Sequence, residues 1–273
     1  LARGGAGSVG DPGRSVAVLA ARVTNRRPYD GRPVAAEVLD RLRRATPGLE
    51  ETRTLWITAR ERIDALAAVI ARADAVMFGE PFGMLRAFLK NVRFDAPPAA
   101  AVDQGLSLAS LEVSAANRLA LRAMPRLPDW VLRVAGVSRS LAANTRRLVR
   151  GSSGLCLVAA PDDAEATDVA VGRAMQRAWL ALTEQGLAAQ PMMSLPVLEN
   201  ALVRGDRMLR EAVGPDRVRA LREEFRAEVP ELGDDRPAWL MRFGFAPSPS
   251  GRTGRRPLDA VTSYSPRPDE VVA

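Results

Sequence analysis

Apolar positions along this chain recur mostly at helical spacing, and only a few short stretches replace that rhythm with dense apolar or β-branched runs. Arg14–Arg22 predicts a short helix. Pro33, at a first helical position, opens an amphipathic helix to about Ala45, with Val34, Val38, Leu39 and Leu42 on one face. Thr46-Pro47-Gly48 breaks it, and Arg53–Thr58 (RTLWIT) has the β-branched and aromatic content of a strand. Ala59–Met77 predicts a long helix striped by Ile63, Leu66, Ala67 and Ile70, and Glu80–Lys90 a shorter one before the break at Pro97 and Pro98. Leu106–Arg150 breaks into helical pieces around Pro125 and Pro128, is rich in arginine, and has the look of an insertion or lid. Leu155–Ala160 is the best buried strand. The helix Val169–Gln185 follows, with Val171, Met175, Ala178 and Leu182 on one face and Gly186 placed to cap its end. Pro191 and Pro196 frame a loop, Val197–Arg204 and Asp216–Glu228 predict helices, and Trp239–Phe245 (WLMRFGF) predicts the last strand.

Long connections between widely spaced strands suit an α+β or α/β sandwich, in which helices cover a small mixed sheet. The glycine-rich opening 1–13 has no periodicity and begins with Leu1, so it reads as a linker, a processed end or the cut edge of a longer protein. One domain is expected over 14–262, with a tail over 263–273. There is no solenoid repeat, no GxGxxG after a strand and no GxxxxGK[ST].

Composition narrows the chemistry more than it narrows the fold. The 273 residues include no histidine, which removes Ser-His and Cys-His nucleophile pairs, histidine acid–base work and nearly all zinc sites. The single cysteine, Cys156, excludes a disulfide within the chain and sits in an apolar run, as a buried inert thiol would. No apolar run is long enough to span a bilayer, and the cytosol is the expected compartment. The net charge of +7 is almost wholly arginine, since Lys90 is the only lysine; codon bias explains such an excess as well as ligand binding does. Local clusters therefore matter more than the total.

Three segments form candidate binding chemistry. In Arg22-Val-Thr24-Asn-Arg26, alternate residues of an extended run point one way, so two guanidinium groups and a hydroxyl could cradle a phosphate; the same pattern also suits a solvated basic turn. Ser250-Gly-Arg252-Thr-Gly-Arg255-Arg256 sets glycines beside arginines, as an anion site or a basic tail would. Pro191-Met192-Met193-Ser194 could present backbone N–H groups and polarisable sulfur to a flat ring, or simply pack as core. The carboxylates sit in charged surroundings and mark no buried acid–base pair. The run Arg139–Arg150 lacks aromatic residues for stacking bases, which argues against nucleic acid.

Taken in order, these segments resemble the nitroreductase-like flavoprotein family. The resemblance covers most of 14–260 and rests on Arg22-x-Thr24-x-Arg26, the helix after it, the strand Leu155–Ala160, Gly172-Arg-Ala-Met-Gln176 running to Gly186-Leu187, the loop Pro191–Ser194, and the basic stretch Arg252–Arg256. The form Thr-Asn-Arg-Arg-Pro-Tyr and the closing Arg-Arg-Pro-Leu are most similar to the duplicated, Acg-like branch, of which this chain would be the C-terminal repeat.

The resemblance implies an α+β nitroreductase-like fold, with helices flanking a small mixed, largely antiparallel sheet and a helical insertion over about 106–150. It implies FMN as cofactor, held at the phosphate by Arg22, Thr24, Arg26 and one or more of Arg252, Arg255 and Arg256. Pro191, Met192, Met193 and Ser194 would line the ring. NAD(P)H and a small electron acceptor would be partners, with hydride passing through flavin N5; flavin storage without efficient turnover is the alternative. The family's Asn- and Gln-bearing pocket segment is replaced here by Ala45–Trp56, which has neither residue. A homodimer or a missing N-terminal repeat is therefore expected to complete the pocket.

Overall fold

A computed structural model describes residues 12–48, 51–79, 81–95, 105–205, 213–252 and 262. The apolar run after Gly154 forms β4 (Gly154–Ala160), in which every residue is buried. A strand with no polar alternation requires cover on both faces of its sheet. The sheet runs β1-β4-β6-β5, with β1 (Arg53–Ile57), β6 (Arg236–Gly244) and β5 (Ala188–Pro191), and all its pairings are antiparallel. Cys156 stands opposite Trp56 on one side and Met241 on the other.

Alternation along the strands sorts the core into two layers. On one face Ile57, Leu155, Leu157, Ala159 and Leu240 meet α3 (Arg60–Phe78), α9 (Ser194–Val203) and α10 (Pro215–Glu228). On the other, Cys156, Met241 and Phe243 meet Leu42 of α2 (Ala36–Ala45) and Ala178, Trp179 and Leu182 of α8 (Glu165–Glu184). α1 (Pro12–Ala21) lies against α8. Burial pushes the Cys156 thiol up, so it stays protonated and inert.

Chain reversals are locally encoded. Gly186, at φ +68°, donates to Thr183 O at 3.0 Å, and Leu187 donates to Leu182 O at 2.9 Å. These two bonds close α8 in a Schellman motif that only a residue tolerating the left-handed region can make. Its return feeds β5 into the sheet edge.

The stretch 106–150 is helical, as its pattern predicts. It comprises the two-residue β3 (Leu106–Ser107), which pairs with β2 (Val92–Arg93), a 3₁₀ turn at Leu108–Leu111, α5 (Ala115–Ala123), α6 (Asp129–Val134) and α7 (Val137–Arg150). With α4 (Gly83–Lys90) it builds a second core around Phe82, Leu85, Leu89, Leu132 and Val137. α7 differs from a lid: it packs along α3, and its Val149 belongs to the main core.

The expected loop between Pro191 and Pro196 is instead the end of a strand and the start of a helix. Pro191 closes an edge strand, where its missing N–H is tolerated, and Pro196 falls in the first turn of α9, where no intrahelical donor is needed.

Candidate functional site

Residues 22–27 leave α1 as an extended run beside β5. Thr24 pairs with Ala189 in a parallel bridge, and Asn25 N donates to Ala189 O at 2.9 Å. The buried Asn25 ties this run to the far end of the chain, because its side-chain amide donates to Pro247 O at 2.9 Å. Its Oδ1 accepts from Arg27 N at 3.1 Å, and its carbonyl accepts from the Tyr29 hydroxyl at 2.8 Å. Arg27 donates to Ser250 Oγ at 2.6 Å, and Arg252 donates to Ala20 O where α1 ends. The early and late basic segments, some 220 residues apart, thus lie together. Arg255 and Arg256 lie outside the described residues.

Within this cradle the arginines take different neighbours. The Arg22 guanidinium lies over the Trp179 ring, 4.5 Å from its centroid. Arg26 donates to Ser110 O at 2.9 Å. Burial holds Arg26 below the ordinary guanidinium range, with the charges of Tyr29 and Glu112 pulling it back up. Glu112 is the group the sequence did not suggest. It follows the 3₁₀ turn with φ +55°, accepts from Ser250 N and from Ser250 Oγ (2.8 Å), and stands 3.3 Å from Arg27 Nε. A carboxylate from the insertion therefore sits among the arginines.

The β5–α9 junction forms the other side. Met192 N donates to Leu240 O at 2.8 Å, and the Met192 side chain is buried in the main core, so it offers no face to a ligand. The Ser194 hydroxyl, also buried, donates to Asp74 of α3, as does Thr145 of α7. Burial raises the Asp74 carboxyl, and the two hydroxyl donors oppose that rise. What the junction can present to a ligand is backbone. Met193 caps α9 without a side-chain bond, so the first-turn N–H groups have no partner within the helix. Pro191 and Met193 are half-buried.

Arg242 organises both sides and was invisible as a site residue, since it reads as one polar position in a strand. It is 0% exposed, donates to Gln190 Oε1 at 2.8 Å, Arg27 O at 2.8 Å and Leu148 O at 3.3 Å, and lies 3.8 Å over the Tyr29 ring. Burial lowers it to about 10 and pushes the Tyr29 phenol up to about 12. Both therefore keep their protons at neutral pH. The only signal in the sequence is a charge inside Leu-Met-Arg-Phe. Trp56, which ends the Ala45–Trp56 stretch, is half-buried and packs against the core: it donates to Thr46 Oγ1 at 3.2 Å and meets Phe243 edge-on at 5.3 Å.

No protein-family model matches the chain. The uncharacterized protein MT1398 of Mycobacterium tuberculosis (strain CDC 1551 / Oshkosh) is 29% identical over 246 residues, covering 88% of this chain. The chain spans about a third of that relative's length (33%). Among solved structures, the FMN-dependent nitroreductase NfnB from Mycobacterium smegmatis in complex with NADPH aligns over 93% of this chain and 98% of its own, at 17% identity and a TM-score of 0.51. The FMN and NADPH-dependent nitroreductase NfnB from Sphigopyxis sp. strain HMH aligns over 92% and 98%, at 18% identity and a TM-score of 0.50. The fold is thus nitroreductase-like and α+β, as the order of motifs implies. No helix among the described residues is long and apolar enough to cross a membrane.

Proposed function

We propose that this chain holds FMN in an NAD(P)H-dependent oxidoreductase of nitroreductase or quinone-reductase type. The observation that carries the reading is the packing of 247–252 along 20–27, which itself runs beside β5, the strand that leads into the uncapped start of α9. The residues fit the group: guanidinium donors suit a phosphate, and a helix N-terminus suits an electron-rich ring edge. Arg22, Arg26 and Arg252, with Thr24, would hold the phosphate; Arg255 and Arg256 belong to the same proposal. Backbone at Pro191, Met193 and Ser194 would meet the ring, with Asp74 fixing Ser194 so that the helix start keeps its place. When bound, FMN would supply the two-electron, hydride-level chemistry between NAD(P)H and a small acceptor. A chain without histidine is suited to this division, because its own residues only bind, orient and exclude water.

The two NfnB structures, described as FMN-dependent with NADPH as partner, support the choice of cofactor and donor. The absence of Asn and Gln over 45–56 supports a pocket completed by a second copy or by another repeat of an Acg-like protein. The test is a visible spectrum of the purified protein before and after added FMN. A flavin spectrum with one FMN released per chain on denaturation is expected; a colourless protein that cannot be reconstituted refutes the reading. A second reading, flavin storage without turnover, is favoured by Glu112 closing the insertion over the cradle. Rapid NADPH oxidation by the flavin-loaded protein with a quinone would exclude it.

A further inference from the structure

The run Arg139–Arg150 is not among the residues proposed to touch flavin, yet its second half forms one wall of a groove of about 610 Å³. Arg146, Arg147 and Arg150 come from the last turns of α7, and Arg60 and Asp64 come from the first turns of α3 opposite. Their engagements are light. Asp64 accepts from Arg150 Nε at 3.2 Å and stands 3.8 Å from Arg60 Nε, so one carboxylate serves two arginines. Arg60 also donates to Ser152 O at 3.3 Å, and Arg147 donates to Asn144 Oδ1 at 2.9 Å. Arg146 has no hydrogen-bond or ion partner among the described residues. Four guanidinium groups against one carboxylate leave an excess of three positive charges facing one concavity.

We infer that this groove binds a diphosphate group, either free or carried by a nucleotide. Planar guanidinium forks from two walls match tetrahedral oxyanions that bridge them. A diphosphate carries about three negative charges at neutral pH, against about two for a single phosphate, so it balances the excess. The volume is that of a small-ligand site rather than a long track, and no aromatic side chain lines it to stack bases. The inference does not depend on flavin binding, since none of these residues belongs to the cradle.

The test is titration calorimetry of the full chain at low ionic strength with orthophosphate, pyrophosphate and ADP, repeated with R146A/R147A. Both substitutions lie on an exposed helix face, and the melting temperature checks that the variant is folded. Pyrophosphate is expected to bind roughly tenfold more tightly than orthophosphate, and the double variant to lose about tenfold or more of that affinity. ADP binding more tightly than pyrophosphate would identify a nucleotide as the source; equal affinities would identify free diphosphate. No binding of either, or binding unchanged in the variant, overturns the site. Tighter binding of a single-stranded oligonucleotide through the same arginines overturns its assignment to a small ligand.

Discussion

Glu199 lies on α9, five residues beyond Ser194 of the candidate site, and is only 5% exposed. Burial pushes its carboxyl from 4.5 up to about 7, while the charges of Arg222, Arg226 and Arg236 pull it down. Arg222 stands 3.4 Å away but is not aligned: Glu199 Oε1 and Arg222 Nε each lack a hydrogen bond, and the arginine side chain is 33% exposed. Water answers much of the arginine charge and little of the carboxylate's, so burial wins. A carboxyl whose folded pKa exceeds its unfolded one binds its proton more tightly in the folded state. Its contribution to stability is full below about pH 4.5 and is lost as pH rises through about 7. The difference corresponds to roughly 3 kcal/mol, at about 1.4 kcal/mol per pH unit.

Glu199→Gln keeps the shape and removes the ionisation. Measured by thermal melts from pH 4.5 to 8, the variant should nearly match the native protein at pH 4.5, and its advantage should open as pH rises above about 4.5 and level off above about 7. At about 2–4 °C per kcal/mol for a chain of this size, the gap at pH 8 should approach roughly 6–12 °C. Every other titrating group is common to both proteins and cancels in the difference. A gap that does not change with pH, or a variant less stable at pH 8, would refute the reasoning.

Asp74→Ala leaves the buried hydroxyls of Ser194 and Thr145 without their acceptor, each worth about 1–3 kcal/mol. Thermal melts should show a fall of several degrees, and FMN titration a weaker complex; an unchanged melting temperature sinks the assignment. Arg22→Ala removes a donor proposed for the phosphate and a cation–π contact with Trp179, so FMN should bind about tenfold more weakly by fluorescence titration, at a cost of about 0.5–2 kcal/mol in stability. Retained affinity would remove Arg22 from the cradle. Glu112→Gln withdraws the negative charge from beside Arg27 while keeping an oxygen for Ser250, so FMN affinity should rise several-fold. A fall would mean that Glu112 supports the site rather than competing in it.

The helices and the long strands were legible because each has a strong period or a dense apolar run. Leu42, Leu66, Ile70, Ala178 and Leu182 all lie on the faces their spacing assigned to the core. β5 was not legible. Ala-Ala-Gln-Pro has no β propensity of its own, and it becomes a strand because β6 offers an open edge where α8 ends. The meeting of Arg22–Arg27 with Pro247–Arg252 was anticipated only through the order of motifs, for nothing local in either segment specifies the other. The bonds that join them run from the Asn25 amide to Pro247 O, from Arg27 to Ser250 and from Arg252 to Ala20 O, pairings that neither segment's own pattern specifies. Arg242 and Glu112 were missed for a related reason. A buried charge is ordinary in sequence and becomes exceptional only through its tertiary neighbours.

Those two residues change how the cradle works. Arg242 donates to the Arg27 carbonyl and also to Leu148 O, so the basic run and the end of α7 share one buried anchor. Glu112 ties the same run to the insertion and to the C-terminal segment together. Arginine stays charged throughout the physiological range, and the chain has no histidine to change the balance. The charge around an anion in the cradle is then set by position rather than by protonation. Ser110 of the 3₁₀ turn offers Arg26 a carbonyl, and Glu112 just after it offers Arg27 a carboxylate, so a phosphate proposed for the cradle would compete with both. The affinity of Glu112→Gln for FMN therefore measures how far the carboxylate opposes an anion there.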